Sequence, residues 1–262
     1  YPVLGLSAKQ FGEVHKAFRA YHPELTAPQL NRLAAILWSG ATYEEKAFAI
    51  GLLSRHAKDL DERSWSVADR WVEKAVGWAL SDGLASGPIA AMVRAKPERF
   101  VELLRWTRSE NFWRRRASTY ALAELVRAGE LDRPFRLLER LLYDNEFWVQ
   151  RAVGTWLREC WKKDEPRVRA FLRKHARGLP PVTITVATER APKAFREELR
   201  RKARAGRPPP PGSVRGGGPH RQGPGRGPEP HLRLYRWPSR GCPFAVRVRE
   251  GHLHPHPLPC RH

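Results

Sequence analysis

The chain has 262 residues, 41% of them hydrophobic, with 48 Lys/Arg against 27 Asp/Glu and a formal charge of +21. That apolar content suffices for one core of about 200 residues plus an appendage. No run approaches the ~18 apolar residues of a membrane span, and three scattered cysteines, Cys160, Cys242 and Cys260, make no disulfide framework and suit a reducing compartment.

The first residue is Tyr1 rather than methionine, so an upstream segment is expected. From about residue 8 to 204 the spacing of apolar residues predicts helices of 10 to 17 residues. They are punctuated at Ala27-Pro28, Gly87-Pro88, Lys96-Pro97, Arg133-Pro134 and Glu165-Pro166. In the run from Ser64 to Trp71, Trp65 and Asp69 stand at i and i+4 and share one helix face. On spacing alone, such an Asp is more often a solvated or salt-bridged residue and such a Trp a core aromatic.

The same helix recurs further on. Phe112-Trp113-Arg114-Arg115-Arg116-Ala117 aligns with Phe147-Trp148-Val149-Gln150-Arg151-Ala152 at an offset of 35, with Leu122 over Leu157 and Glu124 over Glu159. A step of 70 back from Ala117 reaches Ala47, with Tyr43, Lys46 and Leu52 under Trp113, Arg116 and Leu122. Each copy is followed by a second amphipathic helix, Phe135 to Leu142 and Val168 to Leu172. Pairs that cannot bury their apolar stripes alone and so stack on their neighbours make an α-solenoid. Residues 62 to 107 lose the 35-residue register, which predicts one inserted or shifted unit. Trp78, Trp106, Trp113 and Trp148, at helical spacing among apolar residues, are expected in the core. Val182 to Val186 alone has strand composition.

The fold class expected is therefore all-α, a HEAT-like helical-repeat solenoid curved into a right-handed superhelix over residues 1–204. Residues 205–262 are expected to be a disordered Pro/Gly/Arg-rich tail, because 201–262 hold 13 of the 23 Pro and 10 of the 20 Gly without helical or strand period. That span takes 13 of the Lys/Arg and 2 of the Asp/Glu, which leaves the helical part itself at +10. A surplus of this size favours a polyanion, most commonly nucleic acid. In the tail His252, His254, His256, Cys260 and His262 have both metal-ligand types, but their spacing fits no closed tetrahedral site, so no metal is expected. Arg207 to Gly227 could bind nucleic acid nonspecifically, and the abrupt loss of pattern would also fit an out-of-frame translation of a GC-rich gene.

Several blocks carry a resemblance in their order: Ser64-Trp65 to Asp69; Asn111-Phe112-Trp113-Arg114-Arg115-Arg116-Ala117; Glu146 to Gly154; Leu157-Arg158-Glu159; and Thr188-Glu189-Arg190-Ala191. Together they resemble the AlkD-like family of HEAT-like-repeat DNA alkylation repair glycosylases across most of residues 5 to 203. The resemblance implies hydrolysis of the N-glycosidic bond of cationic alkylated purines, such as 3-methyladenine and 7-methylguanine, in duplex DNA and without base flipping. It implies Asp69 as the catalytic carboxylate, Trp65 as a cleft aromatic against the lesion's sugar, and Arg116 as a contact to the DNA backbone. Where the family has a second cleft tryptophan after Ala-Ile-Gly, this chain has Thr155, with Trp156 one residue, about 100° of helix, further on. Arg114 and Arg115 either extend the phosphate stripe or form a solvated face, and Arg151 repeats the position of Arg116.

The chemistry suits those residue types. A cationic purine is a good leaving group without a general acid, so the demand falls on the oxocarbenium ion at C1′, which a carboxylate stabilises while orienting water. A tryptophan face gives a low-dielectric wall that tolerates a cation. No cofactor is needed. A monomer on duplex DNA containing alkylated bases, cytoplasmic and nucleoid-associated, is the setting expected. A noncatalytic DNA-binding module and a HEAT-type scaffold for an acidic protein are the alternatives.

Overall fold

The computed structural model describes residues 1–205, and they are helical without a β-strand. In chain order the helices are α1 (Ala8–Tyr21), α2 (Ala27–Ser39), α3 (Tyr43–Arg55), α4 (Glu62–Lys74), α5 (Trp78–Leu84), α6 (Ala90–Ala95) and α7 (Phe100–Trp106). They continue with α8 (Phe112–Tyr120), α9 (Ala123–Arg127), α10 (Asp132–Leu141), α11 (Phe147–Trp161), α12 (Glu165–Lys174), α13 (Pro181–Ala187) and α14 (Lys193–Ala205). The punctuation is local chemistry. Ser7, Thr42 and Asp61 close capping boxes with Gln10, Glu45 and Ser64, Asn111 and Asp164 cap α8 and α12, and Pro28, Pro166 and Pro181 stand in first turns, where a missing N–H costs no bond.

The helices form two layers. With each pair counted from its outer helix, so that α8 and α11, which the sequence spacing put first, stand second, the helices α3, α5, α8, α11 and α13 pack in an unbroken row, α11 against α8 and α13 most extensively, whereas α2, α4, α7, α10 and α12 touch one another sparsely. The close row is the inner side of the stack and the splayed row the outer side. The core runs along the seam, through Leu53, Leu84, Leu122, Leu138, Leu157 and Leu172, each buried.

Two expectations are corrected here. The 35-residue register does not break at 62–107. Trp71, Trp106, Leu141 and Ala176 are all buried at that interval, and α4 with α5 is one more helix pair. The pattern is obscured because the inner helix changes pitch: Pro88 lacks the N–H that would bond back, Gly87 adopts φ −93°, ψ −105°, and the chain makes a π turn over Ala85–Ile89 before α6. Val182 to Val186 is helix α13, not a strand. Its β-branched residues pack on Gly154 of α11, where an added Cβ would stand 2.8 Å from Val186 Cβ and 3.0 Å from the Thr183 carbonyl. The tail's expected disorder, metal ligands, nucleic-acid contacts and reading frame lie outside the described residues. Among those described, no helix is long and apolar enough to cross a membrane.

Candidate functional site

Trp65 and Asp69 share a face of α4 as their spacing requires, but the indole is no open wall. Trp65 is buried, stacks on Trp106 at 6.0 Å between centroids, donates from Nε1 to Glu102 Oε2 at 3.1 Å, and lies under the Arg99 guanidinium at 4.2 Å. Asp69 is half-buried and ion-paired with Arg114, which also holds Glu73 at 2.7 Å. Burial pushes the Asp69 carboxyl above its usual range, Glu102 and Glu73 push the same way, and Arg114 opposes them.

The three consecutive arginines of α8 diverge because each residue turns the helix by about 100°. Arg114 goes to α4. Arg115 goes forward to Asp144 at 2.7 Å and to the Ser109 and Glu110 carbonyls at 2.8 and 3.1 Å. Arg116 points into the inner row and is 4% exposed. It meets Asp82 of α5 in a two-pronged pair, Nε to Oδ1 at 2.8 Å and Nη2 to Oδ2 at 2.7 Å; Nη1 donates to the Trp148 carbonyl at 2.7 Å and Nη2 to the Tyr120 hydroxyl at 3.0 Å. The structure thus does not join Arg116 to Asp69, and Arg116 does not face solvent as a phosphate ligand would. Arg114 and Arg115 are likewise spent on carboxylates.

What Arg116 assembles instead is a second aromatic–carboxylate pair with the same spacing, Trp78 and Asp82, one turn apart on α5. Trp78 is 46% exposed, which corrects its core assignment. Trp148, at 36%, is exposed too, Trp113 is half-buried beside it at 6.0 Å, and only Trp106 of the four is core. The Arg116 guanidinium lies 5.8 Å from the Trp148 ring. Burial pushes the Asp82 carboxyl up while the Arg116 charge and hydrogen bonds pull it down, and burial, then Asp82, holds the Tyr120 phenol above its ordinary range. Sequence reasoning missed Asp82, although the Trp-x-x-x-Asp repetition was there to be seen.

At the departure point on α11, Thr155 donates to the Arg151 carbonyl at 3.0 Å and is half-buried. Trp156 is buried with its ring edge-on to Tyr120 at 5.6 Å and its Nε1 without a protein acceptor. It therefore backs the Asp82 cluster rather than lining a cleft. Arg151, partly exposed, carries no carboxylate partner among the described residues.

Residues 1–191 match the family model described as DNA alkylation repair enzyme. The chain belongs to that DNA alkylation repair family. Solved structures share the helical-repeat fold. A predicted DNA alkylation repair enzyme from Enterococcus faecalis is 17% identical with a TM-score of 0.64, covering 72% of this chain and 88% of that one. AlkD2 from Streptococcus mutans is 19% identical with a TM-score of 0.57, covering 68% and 89%. No curated relative matches the sequence. Within the family's helical-repeat scaffold, the Asp82–Arg116 pair joins the second, third and fourth helix pairs through α5, α8 and the Trp148 carbonyl.

Proposed function

We propose that the chain hydrolyses the N-glycosidic bond of cationic alkylated purines such as 3-methyladenine and 7-methylguanine in duplex DNA, with Asp82 as the carboxylate that faces the developing cation. The observation that carries this reading is the Asp82–Arg116 pair one turn from the exposed Trp78. Burial raises the Asp82 carboxyl, and the Arg116 charge and hydrogen bonds oppose that rise, favouring the ionised form that an oxocarbenium ion requires. Each Asp82 oxygen accepts one hydrogen bond from Arg116, and the Tyr120 and Ser81 side chains also bond the carboxylate, so its negative charge is held in place by a fixed set of donors. The exposed Trp78 indole supplies the apolar, cation-tolerant wall that the sequence reading gave to Trp65.

The test is release of 7-methylguanine from methylated duplex. Asp82→Asn is expected to lower the rate at least ~100-fold, of the order lost with a transition-state electrostatic partner, while duplex binding persists. Asp69→Asn is expected to release base at the parent rate. Because Asp82 is buried, Trp78→Ala serves as the variant that keeps the fold, with about a tenfold loss expected. Parental rates in both Asp82→Asn and Trp78→Ala would remove the assignment. Salt-sensitive binding without base release in the parent would make the chain a binding module.

A further inference from the structure

Most of the cations that the sequence offered to DNA end in carboxylates, which raises the question of what surface is left to hold a polyanion. On the outer row one position answers it in three successive repeats. Arg70 of α4, Arg105 of α7 and Arg140 of α10 recur at intervals of 35 residues, each exposed and each immediately before a buried core residue, Trp71, Trp106 and Leu141. The shared phase puts all three on the same side of their helices. None has a carboxylate partner among the described residues; Arg140 alone makes a bond, Nη1 to the Leu104 carbonyl at 3.5 Å, reaching across to α7. Arg108, Arg136 and Lys74 are also exposed and without carboxylates. Eight residues after each rung comes a tryptophan in the first turn of the inner helix: Trp78, Trp113 and Trp148. Each repeat thus presents an Arg and a Trp on the two sides of the turn that joins its helices, and the first of these tryptophans sits one turn from Asp82.

Building on the function proposed above, we propose that this Arg70–Arg105–Arg140 ladder is the phosphate-binding surface of the protein and that its partner is the backbone of duplex DNA. Packed helices stand about 8–10 Å apart and the outer row is splayed, so three rungs span at least about 18 Å. One strand of a duplex rises about 3.4 Å per nucleotide, and at least five phosphates cover that length. Guanidinium forks without competing carboxylates suit phosphate oxygens. A strand laid on the rungs runs beside the tryptophan row and brings its sugars toward Asp82.

The measurement is duplex affinity of the full chain against salt concentration, so that the cations of residues 206–262 contribute equally to every variant. Each phosphate neutralised adds about 0.9 to the log–log slope. Arg70→Ala/Arg105→Ala/Arg140→Ala is therefore expected to lower the slope by about 2.7 and to weaken binding on the order of 100-fold near 0.1 M salt. A charge-matched control, Lys9→Ala/Lys58→Ala/Lys193→Ala, separates the ladder from net charge. Equal slope changes in the two triple variants, or a ladder variant with the parental slope, would overturn the ladder while leaving the Asp82 chemistry intact. A parent that binds duplex with a ladder-dependent slope but releases no base would keep the ladder and remove the glycosylase. A parent that binds an acidic polypeptide in preference to duplex overturns both.

Discussion

Arg116→Ala separates the structure from the sequence reading more sharply than any other single change. A surface arginine waiting for phosphate costs nothing measurable when truncated. The Arg116 of this structure makes four hydrogen bonds, two to Asp82, one to the Trp148 carbonyl and one to Tyr120, from a position 4% exposed. Its removal strands a buried carboxylate and a carbonyl, and breaking a buried pair by deleting one partner costs about 3–5 kcal/mol, a large share of the roughly 5–15 kcal/mol that holds a domain together. Because the charge left behind dominates that cost, Asp82→Leu added to Arg116→Ala should return about half of it, and the double-mutant cycle should give a coupling of about 2 kcal/mol or more. Urea unfolding followed by far-UV circular dichroism measures each corner, with m compared across variants. If Arg116→Ala shifts stability by less than about 0.5 kcal/mol, in the range of a surface substitution, Arg116 is not in the core and the assembly around Asp82 is wrong.

Other consequences follow from single contacts. His15 is buried, stacked on Phe48 at 4.0 Å and edge-on to Phe11, and burial first, then Arg55 and Arg19, lowers its pKa to about 4. A base held neutral in the fold is protonated first in the unfolded chain, so its contribution is full above pH 6.5 and is lost as pH falls toward 4. Stability should drop by about 3 kcal/mol across that window, and His15→Phe should flatten the profile measured by urea midpoints at pH 7, 5.5 and 4.5. Gly154→Ala should cost about 1–3 kcal/mol as overpacking, because the new methyl would meet backbone and a Cβ of α13; a thermal midpoint unchanged within 1 °C would refute the close approach. Cys160 is buried, and burial, with a smaller push from Glu159, raises its thiol to about 12, so it should resist a maleimide at pH 7.5 until denaturant is added, as peptide mapping would report.

How far the sequence could be read is clearest on α8. The doubled Phe-Trp…Arg-Ala block exposed the repeat, because side chains that build the same seam must recur at the same helical phase, and the caps marked the ends. Phase could not say which of two Trp-x-x-x-Asp pairs Arg116 would choose. Arg114, Arg115 and Arg116 differ only by rotation about the helix axis, and their destinations on α4, before α11 and on α5 depend on how neighbouring pairs lean. The same limit hid the α4–α5 pair, whose π turn at Pro88 shifts the apolar positions of α5 and α6, and α13, whose β-branched run is helical because Gly154 receives it. The tryptophans were misplaced for a related reason. Helical spacing shows which residues share a face, while the turn between the helices decides whether that face meets a neighbour or the solvent.

The fan of arginines on α8 has a mechanical meaning of its own. Most stacks of repeats hold together through nearest-neighbour apolar seams, so their ends can peel while the middle endures. Here three adjacent residues rivet the central helix to the strata on both sides, toward Asp69 and Asp82 in one direction and Asp144 and the Trp148 carbonyl in the other. Loosening that keystone would release the chain in both directions at once, and the carboxylate proposed for catalysis would be among the first groups to lose its footing.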